Sequence, residues 1–149
     1  MVSLFRTNSS HPDFIKLVRL LDSELAVFDG EEYPFYHQFN QIDKIKHAVV
    51  AYDGNQALSI GAIRHYSDEE VEIKRMYTRG DSRGRGLATK VLEELENWAG
   101  ELGYKACILE TGKRQEAAVA LYQIRGYTSM PNYGPFIGMD NSLCYTKTL

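Results

Sequence analysis

From Met76 to Lys90 the chain reads Met-Tyr-Thr-Arg-Gly-Asp-Ser-Arg-Gly-Arg-Gly-Leu-Ala-Thr-Lys. This is the end of a strand, a basic glycine-rich turn and the start of a helix. Leu87, Val91, Leu95, Trp98, Ala99 and Leu102 then recur on one helical face, and Gly103 closes it. Lys105 to Glu110 follows as an apolar strand. A strand, a long helix and another strand form a right-handed crossover, so the two strands lie parallel. The turn also has its own chemistry. A helix N-terminus offers unpaired N–H groups and partial positive charge, which attract anions. Gly84 and Gly86 let a phosphate approach the backbone, and Arg79, Arg83 and Arg85 add full charges. The stretch therefore reads as a phosphate cradle; the plainer alternative is a glycine-rich connection with solvated arginines.

Two nucleotide motifs are excluded. A Walker loop ends in Gly-Lys-Ser/Thr, whereas Gly112-Lys113 precedes Arg114. A dinucleotide fingerprint needs a third glycine where Thr89 stands. The net charge of -3 argues against a general nucleic-acid binder. The basic cluster from Lys74 to Arg85 instead points to one anionic ligand at one place. At 149 residues, 44% hydrophobic, the chain suits one domain with a real core, spanning 1–149. No run is long and apolar enough for a membrane span, and no signal peptide opens the sequence. Cys107 and Cys144 are too few for a disulfide scaffold, and Cys107 lies in an apolar run, as a structural thiol does. A reduced cytoplasm is the expected compartment. His11, His37, His47 and His65 show no metal-ligand spacing, so no metal is expected.

The rest of the chain surrounds the crossover. Ser3 to Arg6 is a short first strand. Ser10 is placed to cap a helix with Pro12 and Asp13 in its first turn, and Asp29-Gly30 stops it. The aromatic segment Tyr33 to Phe39, broken by Pro34, is a short helix or lid. His47 to Tyr52 and Ala57 to Tyr66 are strands joined by an Asp53-Gly54 hairpin, with Gly61 marking a bulge or a close approach. Val71 to Thr78 makes a third antiparallel strand. After the crossover, Thr111-Gly112 leads into a helix ending near Arg125. Tyr127 to Met130 and Leu143 to Lys147 are the last strands. Pro131 to Gly138 forms a glycine- and proline-punctuated surface loop. The expected fold class is α/β: one mixed central sheet, with antiparallel N-terminal strands and a parallel pair across the long helix, flanked by helices.

Arg83-Gly-Arg-Gly-Leu-Ala88 has the form (Gln/Arg)-x-x-Gly-x-(Gly/Ala). It resembles motif A of the GNAT superfamily of N-acetyltransferases. A second segment, Gln115-Glu-Ala-Ala118-Val-Ala-Leu121-Tyr122 followed by Arg125-Gly126-Tyr127, resembles the family's motif B, with Gln115 where asparagine is common. The resemblance runs from about Val71 to Tyr127. It implies a GNAT-like domain using acetyl-CoA as cosubstrate. Met76, Tyr77 and Thr78 would offer backbone to the thioester and pantetheine arm. The pyrophosphate would sit on Arg83, Gly84, Arg85, Gly86, Leu87, Ala88 and Thr89, and Gln115 could reach the pantetheine arm. A homodimer joined through sheet edges is a further family expectation.

The resemblance also implies transfer of an acetyl group to a primary amine by direct attack in a ternary complex. An alkyl ammonium with a pKa of about 10.4 must lose its proton to attack. Glu72 is the candidate base, sharing its strand face at period two with Lys74 and Met76. The alternative is a surface glutamate paired with Lys74. Tyr122 matches the family's general acid, since a phenol near 10 and a thiol near 8.5 suit a hydrogen bond that strengthens as sulfur gains charge. The alternative is a packing tyrosine. Neither cysteine has an obvious histidine partner, so an acyl-enzyme is not expected. Tyr33, Tyr36, His37, Asn132 and Tyr133 are candidate acceptor contacts, and the acceptor is a small-molecule or protein amine. Two competing functions remain: a catalytically silent acyl-CoA-binding domain that senses or regulates, and an unrelated nucleotide-binding α/β protein.

Overall fold

The computed structural model describes residues 1–41 and 44–149. Strand β1 spans Val2–Thr7, helix α1 Pro12–Asp29 and helix α2 Tyr33–His37. Strands β2 (His47–Asp53), β3 (Gln56–His65) and β4 (Glu70–Thr78) follow. Then come helix α3 (Leu87–Glu101), strand β5 (Ala106–Gly112), helix α4 (Glu116–Ile124) and strands β6 (Thr128–Met130) and β7 (Ser142–Thr148). The strands form one sheet in the order β1-β2-β3-β4-β5-β7-β6. Among the described residues only β4 and β5 are parallel, and every other neighbouring pair is antiparallel. The sequence therefore places the crossover correctly, and the domain is a single α/β unit with helices on both faces.

Alternation along the strands sorts side chains between those faces. Val71, Ile73, Cys107 and Leu109 pack with Val91, Leu92, Leu95 and Ala99 of α3. Val50, Ile60 and Ala62 pack with Phe14, Leu17 and Val18 of α1. A third cluster joins Tyr36, Ile108, Tyr133, Phe136 and Cys144. The 131–138 segment is thus anchored in the core by two aromatic side chains rather than lying free on the surface. Its glycines and prolines shape a one-turn 3-10 helix, Gly134–Phe136, that turns those rings inward.

Two expectations are corrected. The N-cap of α1 is His11, not Ser10: the His11 Nδ1 accepts from the Asp13 N–H at 3.1 Å, while the Ser10 hydroxyl bonds Asn8 Oδ1 at 2.6 Å. Ser10 stands one residue too early to reach the first turn. Nor does Met76 share a face with Glu72 and Lys74. Ile60 pairs with Tyr77 but Ala62 with Lys74, so β4 holds one extra residue opposite Gly61. Arg75 takes the left-handed conformation at this bulge, with φ 58°. The extra residue shifts the alternation and sends Met76 to the α3 face.

Gly61 serves as both bulge partner and close approach. A Cβ there would clash with Met76 Sδ and meet Leu95 Cδ1 at 2.8 Å and Val91 Cγ1 at 2.9 Å. The bulge lies where the sheet opens. Strands β4 and β5 pair only through Glu70, Val71 and Glu72. Beyond Glu72 each runs on without the other, and a cleft lies between them.

Candidate active site

The opened sheet bounds a cleft of about 430 Å³. Its walls are the splayed ends of β4 and β5, the inner face of α1, and the first turns of α3 and α4. Of the sequence-derived candidates, Glu72, Met76, Tyr77, Thr78, Arg83, Gly84, Gly86, Leu87, Ala88, Thr89, Gln115, Tyr122 and Tyr36 all line it. The two sequence motifs, far apart in the chain, meet across one opening.

The α3 end carries the anion-binding geometry. Gly86 is the N-cap, at φ 74°, and no side chain caps the helix. The first turn therefore presents backbone N–H groups that helix geometry leaves unpaired. Gly84 also has positive φ, 83°, and a Cβ built on either glycine meets nothing within 4 Å. That open space lies where the sequence leads one to expect the cradle. Arg83 stands at its rim, with Nε donating to the Thr78 carbonyl at 3.0 Å and Nη2 paired to Glu24 at 2.9 Å. Arg85 turns the other way: its Nη2 donates to Asp53 Oδ2 at 2.7 Å, outside the cleft lining. Gln115 sits at the N-cap of α4 without making a capping bond, leaving its amide on the cleft wall. Beyond Glu72, the β4 edge that faces β5 has no strand partner among the described residues, so the backbone there is open to an extended ligand. These features fit a long ligand with an amide-bearing arm and a diphosphate.

The other end of the cleft is rich in ionisable groups. Glu72 Oε2 accepts the Tyr133 hydroxyl at 2.5 Å, and its Oε1 lies 3.8 Å from Lys74 Nζ. Burial lowers the Lys74 pKa, against the opposing pull of Glu72 and Glu110. Arg75 pairs with Asp22 of α1 beneath the bulge. Glu110, on β5, faces the same space; burial pushes its pKa up to about 7, although the Ser142 hydroxyl and Lys74 act to lower it. Tyr122 is buried, and burial followed by the Glu110 charge raises its phenol pKa. Its proton is held more firmly than an ordinary phenol's, so it is suited to donating a hydrogen bond and less to full proton transfer.

The remaining candidates stand behind the wall or to one side. The Tyr133 hydroxyl is engaged by Glu72. The Asn132 amide donates to the carbonyls of Phe136, Met139 and Ser142, clamping its own loop. Tyr33 and His37 bond each other at 3.1 Å. None of these four lines the cleft, whereas Tyr36 does, with its hydroxyl 2.8 Å from Ser142 Oγ.

Sequence reading missed Glu110, Asp29 and the α1 wall of Leu21, Leu25 and Phe28. Glu110 did carry a signal, a carboxylate closing an otherwise apolar strand. Asp29 reads as a helix stop and the α1 residues as ordinary core, because helical spacing does not say which residues border a cavity.

Comparison with known proteins agrees with this geometry. The acetyltransferase (GNAT) family model matches residues 14–127. An IAA acetyltransferase of Azospirillum brasilense is 35% identical over 78 residues, which is 52% of this chain and 51% of that protein. The match thus spans about half the length of that relative. The structure of a Klebsiella pneumoniae protein assigned to the acyl-CoA N-acyltransferases superposes over 100% of this chain and 98% of its own, with a TM-score of 0.85 and 27% identity. A GNAT family acetyltransferase from Elizabethkingia anophelis with acetyl-CoA bound shares the fold at TM-score 0.71 and 16% identity, over 99% of this chain and 98% of that one. With the family's pattern covering most of its length and the splayed β4–β5 sheet beneath it, the chain belongs to the GNAT family of acetyltransferases.

Proposed function

We propose that the protein transfers an acetyl group from acetyl-CoA to a primary amine by direct attack in a ternary complex. The observation that carries this is the junction in one cleft of an uncapped, glycine-lined helix N-terminus with a buried carboxylate and a buried tyrosine. Bound acetyl-CoA would supply the activated acyl group; an acetyl-CoA complex is present in the Elizabethkingia relative. The residues to hold it are Met76, Tyr77 and Thr78 along the unpaired edge, Arg83 and Gly84 through Thr89 at the cradle, and Gln115 beside the arm. Within the cradle set, Arg85 acts through its pair with Asp53 rather than by lining the cleft.

The chain's own groups divide the proton chemistry. The acceptor ammonium must lose a proton before its nitrogen can bond the acyl carbon. Glu110, titrating near 7, suits that task better than Glu72, because a base works best near the operating pH. Glu72 is engaged by Tyr133 and faces Lys74, so it serves here to position them. Tyr122 donates a hydrogen bond to the departing sulfur. Tyr36 borders the acceptor's path, while Tyr33, His37, Asn132 and Tyr133 shape it from behind. Cys107 and Cys144 are free and buried, and burial raises the Cys107 thiol to about 12 and Cys144 to about 11. Both are therefore poor nucleophiles, which supports direct attack. Free thiols also suit a reducing cytoplasm, where we place the protein. Among the described residues no helix is long and apolar enough to cross a membrane. A homodimer through a sheet edge remains the family expectation.

The test is amine-dependent release of free CoA from acetyl-CoA across a panel of small amines and peptides with free amino groups. Release that needs the amine, and that falls further in Glu110→Gln than in Glu72→Gln, supports the assignment. Acetyl-CoA binding without release by any amine would favour the silent, sensing alternative.

A further inference from the structure

Asp29 lies where a carboxylate is least welcome. It is the last residue of α1, at the negative end of the helix, and no basic residue shares its turn. Only 5% of it is exposed, yet it lines the cleft. Among the described residues no hydrogen bond or ion pair reaches its side chain. Arg114, the cation that acts on it, donates instead to the Phe28 carbonyl at 2.9 Å. Burial and Glu32 push the Asp29 pKa up, and Arg114 offsets them only in part. A buried carboxylate that its own fold destabilises is placed for a ligand.

The surrounding charges say what kind. Arg75 is paired with Asp22, and Arg83, paired with Glu24, stands at the cradle end of the cleft. Among the described residues that line the acceptor half of the cleft, Asp29, Glu72 and Glu110 then outnumber the one remaining cation, Lys74, while Arg114 acts on Asp29 from outside the lining. Among the described residues no three His, Cys, Asp or Glu side chains converge closely enough to hold a metal ion, so the fitting occupant is an organic cation. The attacking amine accounts for Glu110, to which it gives its proton. Asp29 is left for a second positive group on the same molecule. Leu21, Leu25 and Phe28 line the wall beside it, which suits an alkyl spacer.

Resting on the N-acetyltransferase function above, we propose that the acceptor is a dicationic alkyl amine, one ammonium held by Asp29 at the C-terminal end of α1 while the other amine reacts. A monoamine leaves Asp29 unpaired, and an amino acid brings a second carboxylate against it.

The test is calorimetric titration of the CoA-saturated protein with linear diamines from diaminopropane to diaminohexane. Each is compared with the monoamine of equal carbon count and with the corresponding ω-amino acid. The best diamine is expected to bind about tenfold to a hundredfold more tightly than its monoamine, the usual range for a buried charge-assisted hydrogen bond. The amino acid should bind weakest. Asp29→Asn should reduce the diamine preference to about threefold or less. Its melting temperature at pH 8 should equal or exceed that of the unaltered protein, because the substitution removes a charge that burial opposes; a merely structural Asp29 would lower it. Equal affinity for diamines and monoamines, or a preference that survives Asp29→Asn, overturns the proposal. Binding is read here without turnover, so the two claims separate. A diamine preference with no CoA release would sink the transferase function and keep the cation subsite. Monoamine turnover with no diamine preference would do the reverse.

Discussion

Glu110→Gln should make the protein more stable while disabling it, and the gain should depend on pH. The Glu110 carboxyl is raised from its ordinary 4.5 to about 7 by burial. Because the folded chain holds this proton more tightly than the unfolded chain, folding takes up a proton between those two values. The associated stability is fully present below about pH 4.5 and is lost as pH rises through 7. The difference between 4.5 and about 7, at about 1.4 kcal/mol per pH unit, is about 3 kcal/mol. Glutamine is neutral at every pH and avoids this loss. The variant should therefore match the unaltered protein near pH 4.5 and exceed it by up to about 3 kcal/mol at pH 8. For a domain of this size that is a rise of roughly 6 to 12 °C in melting temperature. Parallel thermal unfolding at the two pH values reads the stability, and amine-dependent CoA release reads turnover. Turnover should fall by about a hundredfold or more, the usual contribution of a general base. A stability difference that does not change with pH, or a variant less stable at pH 8, would refute the burial argument. Full turnover in a folded Glu110→Gln would remove Glu110 from the chemistry.

Three further substitutions probe the other walls of the cleft. Gly86→Glu should abolish acetyl-CoA binding by placing bulk and negative charge in the open cradle; unchanged affinity in a folded variant, judged by circular dichroism, would contradict the cradle. Tyr122→Phe should lower kcat by about tenfold to a hundredfold while acetyl-CoA affinity stays within about threefold, and equal turnover would return Tyr122 to a packing role. Gly61→Ala should cost about 1–3 kcal/mol in chemical denaturation, since its Cβ would meet Leu95 and Val91 of α3 below 3.0 Å; a neutral result would mean that α3 is free to shift.

What was legible in the sequence follows from which interactions are local. The crossover and the glycine-lined start of α3 could be read because strand, turn and helix are contiguous from Met76 to Lys90, and glycine and helix spacing act over a few residues. Tyr122 and Gln115 could be placed because motif B is equally compact. The bulge at Arg75 could not. It depends on an extra residue in β4 opposite Gly61, a pairing across strands that shows only in the register. That single insertion moved Met76 off the face shared by Glu72 and Lys74. The burial of Tyr133 and Phe136 was hidden for the same reason, because a loop rich in glycine and proline looks solvent-exposed until Tyr36 and Ile108 close over it. Glu110 and Asp29 lie far apart in sequence and acquire their character from burial along a shared cleft, so spacing alone could not single them out.

The most direct measurement is calorimetric titration of the purified protein with acetyl-CoA, using ATP and NAD as controls. The cleft described here predicts saturable binding of acetyl-CoA and none of NAD, with ATP at most a weak competitor through its phosphates. Absence of acetyl-CoA binding by the folded protein, or displacement of bound acetyl-CoA by NAD, would contradict the assignment of the Gly84–Thr89 turn as an acetyl-CoA cradle.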